Sequence, residues 1–181
     1  MYQILKQIVK TGIKSEAPPQ ADAAMLLTTQ RLQQQILDVF GGALAIRQVD
    51  AGSCNGCELE IHAVNNAYYN IEGLGIKFVA SPRHADLLLV TGPVSRHMAV
   101  ALKRTYDATP EPKLVVAIGD CATDGGIFCS HGADAATDNY ASCGSVSNVI
   151  PVDVVVAGCP PTPTQILQGI LTAITRHAAQ P

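Results

Sequence analysis

Six cysteines stand out in this chain, at positions 54, 57, 121, 129, 143 and 159. Thiols so numerous in one chain form disulfides, do redox chemistry or bind soft metals. A disulfide framework belongs to small secreted domains, and neither the length nor the N-terminus of this chain fits that class. In a reducing compartment clustered cysteines point to metal or redox chemistry. Cys54 and Cys57 form a C-x-x-C pair, a spacing that lets both sulfurs face one centre. Cys121 and Cys159 stand alone in Gly-Asp-Cys and Gly-Cys-Pro-Pro. A structural zinc site usually shows a second close pair of ligands, which is missing here. A thioredoxin-like dithiol needs only Cys54 and Cys57 and leaves the other two unexplained. Ligation of one [4Fe–4S] cluster by four thiolates accounts for all four. Zinc and dithiol chemistry stay open on the residues alone.

The elements around these cysteines explain how distant residues could meet. Apolar runs at 43–49, 76–80, 87–90, 114–118 and 152–156 read as strands. Several lack polar alternation, which predicts burial on both faces. Helical patterns at 24–39, 57–69, 95–106 and 164–177 alternate with them, with Ser95 as an N-cap. The pattern predicts an α/β fold, a doubly wound, flavodoxin-like, mostly parallel sheet with helices on both faces. In such sheets ligands bind beyond the carboxyl ends of the strands. The runs at 43–49, 114–118 and 152–156 each lead straight into cysteine. Four thiols are therefore expected at one edge. Residues 121–148, rich in Gly and Asp, read as a long functional loop with short helical turns.

The chain has 181 residues, room for one core. Residues 1–23 read as a basic amphipathic helix (Ile4, Leu5, Ile8, Val9 and Ile13 against Lys6, Lys10 and Lys14) and a linker through Pro18-Pro19. The helix suits a foot on a membrane surface or on a membrane-embedded partner. Residues 24–181 read as a single α/β domain. Charged residues make up 15%, against about 25% in ordinary chains, so partners are expected to cover much of the surface. A net charge of −3 without a basic run excludes nucleic acid as partner. No segment reaches the roughly 20 apolar residues of a membrane span, and no signal-peptide core or twin-arginine pair is present. A cytoplasmic location is expected.

The segments DAGSCNGCELEI (50–61), SPRHADLLLVTGPV (81–94), GDCATDGG (119–126) and IPVDVVVAGCPPTP (150–163) carry a resemblance. They resemble the small subunits of membrane-bound, energy-converting [NiFe] hydrogenases of the formate hydrogenlyase type. They also resemble the 20 kDa B-type subunit of NADH-quinone oxidoreductase. The resemblance implies an oxidoreductase complex in which this chain is not itself catalytic. It implies one [4Fe–4S] cluster on Cys54, Cys57, Cys121 and Cys159, proximal to a large catalytic subunit. A ferredoxin-like iron–sulfur subunit and membrane-embedded subunits are the other implied partners, with the complex on the cytoplasmic face of the inner membrane. Quinone-reducing relatives have two adjacent cysteines at the first site, so Asn55-Gly56 between Cys54 and Cys57 favours the hydrogenase side. A structural metal module and a quinone-reductase subunit are the alternatives. Cys129 and Cys143 fall outside the shared ligand pattern. The chain ends soon after the last helix, so a single cluster is expected. An acidic residue just after the second cysteine is implicated in proton movement in these relatives; Glu60 is the preferred position here, with Glu58 beside it.

Overall fold

The structure is a computed structural model and describes residues 2–12, 23–40, 42–128 and 140–178. The Pro18-Pro19 linker, Cys129 and the Asp-rich stretch 134–138 lie outside the described residues. The strands are β1 (Leu44–Asp50), β2 (Ile76–Phe78), β3 (Leu87–Thr91), β4 (Leu114–Ile118) and β5 (Val154–Val156). They form one all-parallel sheet in the order β2-β1-β3-β4-β5. That is the flavodoxin-like order, with its reversal between β1 and β3.

The helices are α1 (Tyr2–Thr11), α2 (Ala23–Phe40), α3 (Gly56–Val64), α4 (Arg96–Ala108), α5 (Asp120–Asp124) and α6 (Pro163–Ala178). Leu44, Ile46, Leu87, Leu89, Val116 and Val156 pack on one face against Leu32 and Ile36 of α2, Ile61 of α3 and Ile170 of α6. Val49, Leu88, Val90, Val115 and Ala117 pack on the other face with Leu102 of α4 and Val146. Every residue of β3 and β4 is buried, which is why neither shows polar alternation. Each fully buried leucine contributes about 1.5–3 kcal/mol relative to an exposed one.

Three elements differ from the sequence expectation. The helix expected over 57–69 ends at Val64. Asn66 stops it, because its Oδ1 accepts the N–H groups of Tyr68 and Tyr69 at 2.8 and 3.0 Å and offers the backbone a turn instead. The strand expected over 76–80 stops at Phe78, and the one expected over 152–156 starts at Val154. The last helix starts at Pro163, behind a reciprocal cap. The Thr162 N–H donates to Gln165 Oε1 at 2.8 Å, and the Gln165 N–H donates to Thr162 Oγ1 at 3.4 Å. Ser95 caps α4, with the Met98 N–H on its Oγ at 3.2 Å.

Helix α1 buries none of its residues. Ile4, Leu5, Ile8 and Val9 are all more than half exposed. At 100° per residue they share one side, with Lys6 and Lys10 on the other.

Candidate metal centre

Strand β1 hands the chain to the first cysteine pair through an aspartate. Asp50 Oδ1 accepts the N–H groups of Gly52 and Ser53, both at 3.1 Å. Ser53 Oγ then accepts the Asn55 N–H at 3.1 Å. These local bonds turn the chain sharply and leave Cys54 exposed at the tip. Cys57 follows, half-buried in the first turn of α3, where the helix N-terminus favours negative charge.

Strands β4 and β5 deliver the other two thiols. Gly119, at φ 91°, sits just past β4, and a Cβ there would lie 2.6 Å from Cys57 Sγ. The loop carrying Cys121 therefore packs directly on the first cysteine pair. The backbone N–H of Ile127 offsets part of the rise that burial imposes on the Cys121 thiol. Past β5, the Gly158 N–H donates to Asp120 Oδ1 at 2.7 Å, and the Asp120 N–H donates to Gly158 O at 3.0 Å. These bonds tie the Cys121 and Cys159 loops together.

All four thiols line one cavity of about 100 Å³, walled also by Gly92 and Pro160. They feel one another. Burial pushes the Cys57 thiol up to about 12, with Glu58, Cys121, Cys54 and Cys159 adding repulsion. Burial also raises Cys121, and Cys159 and Cys54 add to it. A site that holds Cys57 and Cys121 protonated when nothing compensates their charge suits a cationic occupant. Among the described residues, no three His, Cys, Asp or Glu side chains close on a single ion.

The remaining candidates separate clearly. Cys143 does not line the cavity; it packs against the core on the α4 face, and its N–H donates to Val94 O at 2.6 Å. Of the two acids after Cys57, Glu58 is buried with no hydrogen-bond partner for either oxygen, and Glu60 is half-buried. The sequence preference for Glu60 carried no signal of that difference. Asp50 and Asp120 act as loop fasteners, and Asp at a strand end just ahead of Gly, Ser or Cys is a turn signal in the sequence.

Residues 54–173 match the model of the NADH ubiquinone oxidoreductase 20 kDa subunit family. The chain belongs to that family. It is 41% identical over 152 residues to the probable membrane-bound hydrogenase subunit mbhJ of Pyrococcus furiosus, covering 82% of this chain and 86% of the relative. It is 43% identical over 129 residues to formate hydrogenlyase subunit 7 of Escherichia coli, covering 71% of this chain but only 48% of that relative. Among solved structures, a chain of the membrane-bound sulfane sulfur reductase, an archaeal respiratory membrane complex, superposes with a TM-score of 0.63. That pair is 30% identical, covering 86% of this chain and 77% of the other. Family members are thus subunits of hydrogenase and NADH-quinone oxidoreductase complexes, which are oxidoreductases. Among the described residues no helix is long and apolar enough to cross a membrane.

Proposed function

We propose that Cys54, Cys57, Cys121 and Cys159 hold one [4Fe–4S] cluster, and that this chain is the electron-transfer subunit of a membrane-bound, hydrogenase-like complex. One observation carries the reading: three separate strand ends bring four thiols around one small cavity. The donor set fits the group. Bound there, the cluster would supply a one-electron carrier. The chain's own residues wall the site with Gly92, Gly158 and Pro160 and set the α3 N-terminus beside Cys57.

A lone carrier needs a donor and an acceptor within reach. Leu59 is 61% and Ile127 81% exposed, and both are near neighbours in sequence of metal-site cysteines. Apolar side chains so placed support contact with a large catalytic subunit there, with a ferredoxin-like iron–sulfur subunit as the other neighbour. The Cys54-x-x-Cys57 spacing and the mbhJ likeness favour a hydrogenase-type large subunit. In this reading α1 rests on the cytoplasmic face of the inner membrane or on its embedded subunits, and Glu60 relays protons beside the site. Anaerobic purification of the complex tests the cofactor. Brown protein with a reduced-state EPR signal and four irons assigned to this chain is expected. A colourless, zinc-bearing chain overturns the reading.

A further inference from the structure

Strand β2 stops before β1 does. The last paired residues are Ile46 and Phe78, and the Val79 N–H donates to Ile46 O at 2.9 Å. Beyond that point β1 continues to Asp50 with only β3 beside it. Backbone groups along β1 alternate sides. Ala45 O accepts from Asp86 and the Ala51 N–H donates to Thr91 O, both toward β3; Leu44 and Ile46 bond toward β2. By that alternation the N–H and C=O groups of Gln48 and Asp50 face the open side, and they have no backbone partner among the described residues. An open strand edge is a template for another strand.

A groove of about 830 Å³ lies along this edge. Ile61 and His62 of α3 wall one side, and Met98 and Thr105 of α4 wall the other. Arg47 also lines it, and its Nε is buried without a hydrogen-bond partner. Lys113–Glu111 is the one ion pair among the described residues, so Arg47 has no carboxylate partner among them. The nearest acid along the strand, Asp50, already uses Oδ1 on Gly52 and Ser53.

We propose that this groove receives an extended, carboxylate-bearing segment of the large subunit, which adds to the sheet as a short edge strand beside Gln48 and Asp50 and sets an acidic side chain against Arg47. The inference rests on reading the chain as a subunit of such a complex. Three features select this occupant. The free backbone groups recur every second residue, which a strand satisfies and a compact small molecule does not. Arg47 shares a strand face with Val49, which packs on the α4 side, so alternate side chains of the added strand enter that side and one of them meets the unpaired guanidinium. The groove also neighbours the metal centre, because Asp50 lines the groove while its carboxylate shapes the Cys54 loop. The subunit that approaches the Cys54 loop can reach the groove as well.

A photoreactive benzoylphenylalanine at Thr105, in the purified complex, tests the assignment. Crosslinks are expected to map to one extended stretch of the large subunit that contains Asp or Glu. Crosslinks confined to this chain, to a second copy, to lipid or to another subunit overturn the proposal, and so does their absence. In parallel, Arg47→Glu should lower the large subunit retained at moderate salt by about tenfold or more, with Arg47→Lys retaining most of it. Full retention by Arg47→Glu also overturns it. Iron is measured separately: its absence from the wild-type complex strikes the cofactor reading, while the crosslink map decides the groove.

Discussion

Asp120 and Gly158 hold each other by two hydrogen bonds, side chain to backbone at 2.7 Å and backbone to backbone at 3.0 Å. The residues after them are Cys121 and Cys159. The clasp fixes the separation of two thiols that come from different strands. It also gives the Gly158 N–H a charged acceptor, which a neutral loop would lack.

Removing the clasp should therefore loosen the metal site without dismantling the sheet. Asp120→Ala is expected to lower metal affinity by about 10–100-fold, as loss of a supporting partner does at other metal sites. Asp120→Asn keeps an oxygen acceptor and should lie between the two. Iron per chain after a timed challenge with chelator reads the difference. Equal iron retention by all three proteins would mean that the clasp does not position the thiols.

A second test uses the crowding around Cys57. A methyl at Gly119 would lie 2.6 Å from Cys57 Sγ, on a backbone at φ 91° that costs a non-glycine residue about 1–3 kcal/mol. A methyl at Gly56 would meet Cys54 Sγ at 3.6 Å, an ordinary contact. Gly119→Ala should lose iron while Gly56→Ala keeps it. The reverse order in iron analysis would show that the Cys121 loop does not pack on the first pair.

The cysteines divide in the same way. Serine is a poorer soft donor than thiolate, so Ser at 54, 57, 121 or 159 should lose or strongly alter the cluster. Cys143→Ser should leave iron content and the reduced-state EPR signal close to wild type, because Cys143 packs on the α4-side core away from the cavity. If Cys143→Ser loses the cluster while Cys121→Ser keeps it, the ligand set is wrong.

The gathering of Cys54, Cys57, Cys121 and Cys159 at one edge was legible in the sequence for a physical reason. LLLVT and LVVAI are apolar without alternation, so they read as strands of a parallel sheet buried on both faces, and in such a sheet the loops past β1, β4 and β5 that carry these cysteines open on the ligand-binding edge. The clasp was not legible, because it joins residues 38 positions apart and depends on how two loops meet. Nor was the burial of Glu58. Both acids occupy the start of α3, and the way that helix docks decides which one turns inward. The open edge of β1 is not legible in the sequence, because the apolar run at 76–80 is longer than the three residues that pair. An early-ending neighbour leaves no mark in β1 itself.

Helix α1 gives a prediction about location. An amphipathic helix with Ile4, Leu5, Ile8 and Val9 more than half exposed and none of its residues buried leaves its apolar side open among the described residues. Lys6 and Lys10 would each add about 1 kcal/mol of attraction to an anionic membrane surface. Deleting residues 2–11 should release the catalytic subunits from membranes in a fractionation experiment and leave iron content unchanged. Unaltered membrane retention would remove the foot.

The acids beside Cys57 test proton movement. Glu60 is half-buried, so it can exchange protons with a partner's side chain or with water, whereas Glu58 is enclosed with both oxygens unpartnered. A relay must reach groups on both sides of itself, which favours Glu60. Gln keeps the shape of Glu and one oxygen acceptor but cannot carry the proton. Glu60→Gln should therefore slow turnover of the complex by about 100-fold or more, the usual contribution of a positioned acid–base group. Iron content and subunit stoichiometry should stay at wild-type levels, which separates a proton defect from a folding defect. Turnover measured across pH decides the matter. A wild-type rate at every pH would end the assignment, and a loss seen with Glu58→Gln but not Glu60→Gln would move the role to the enclosed acid.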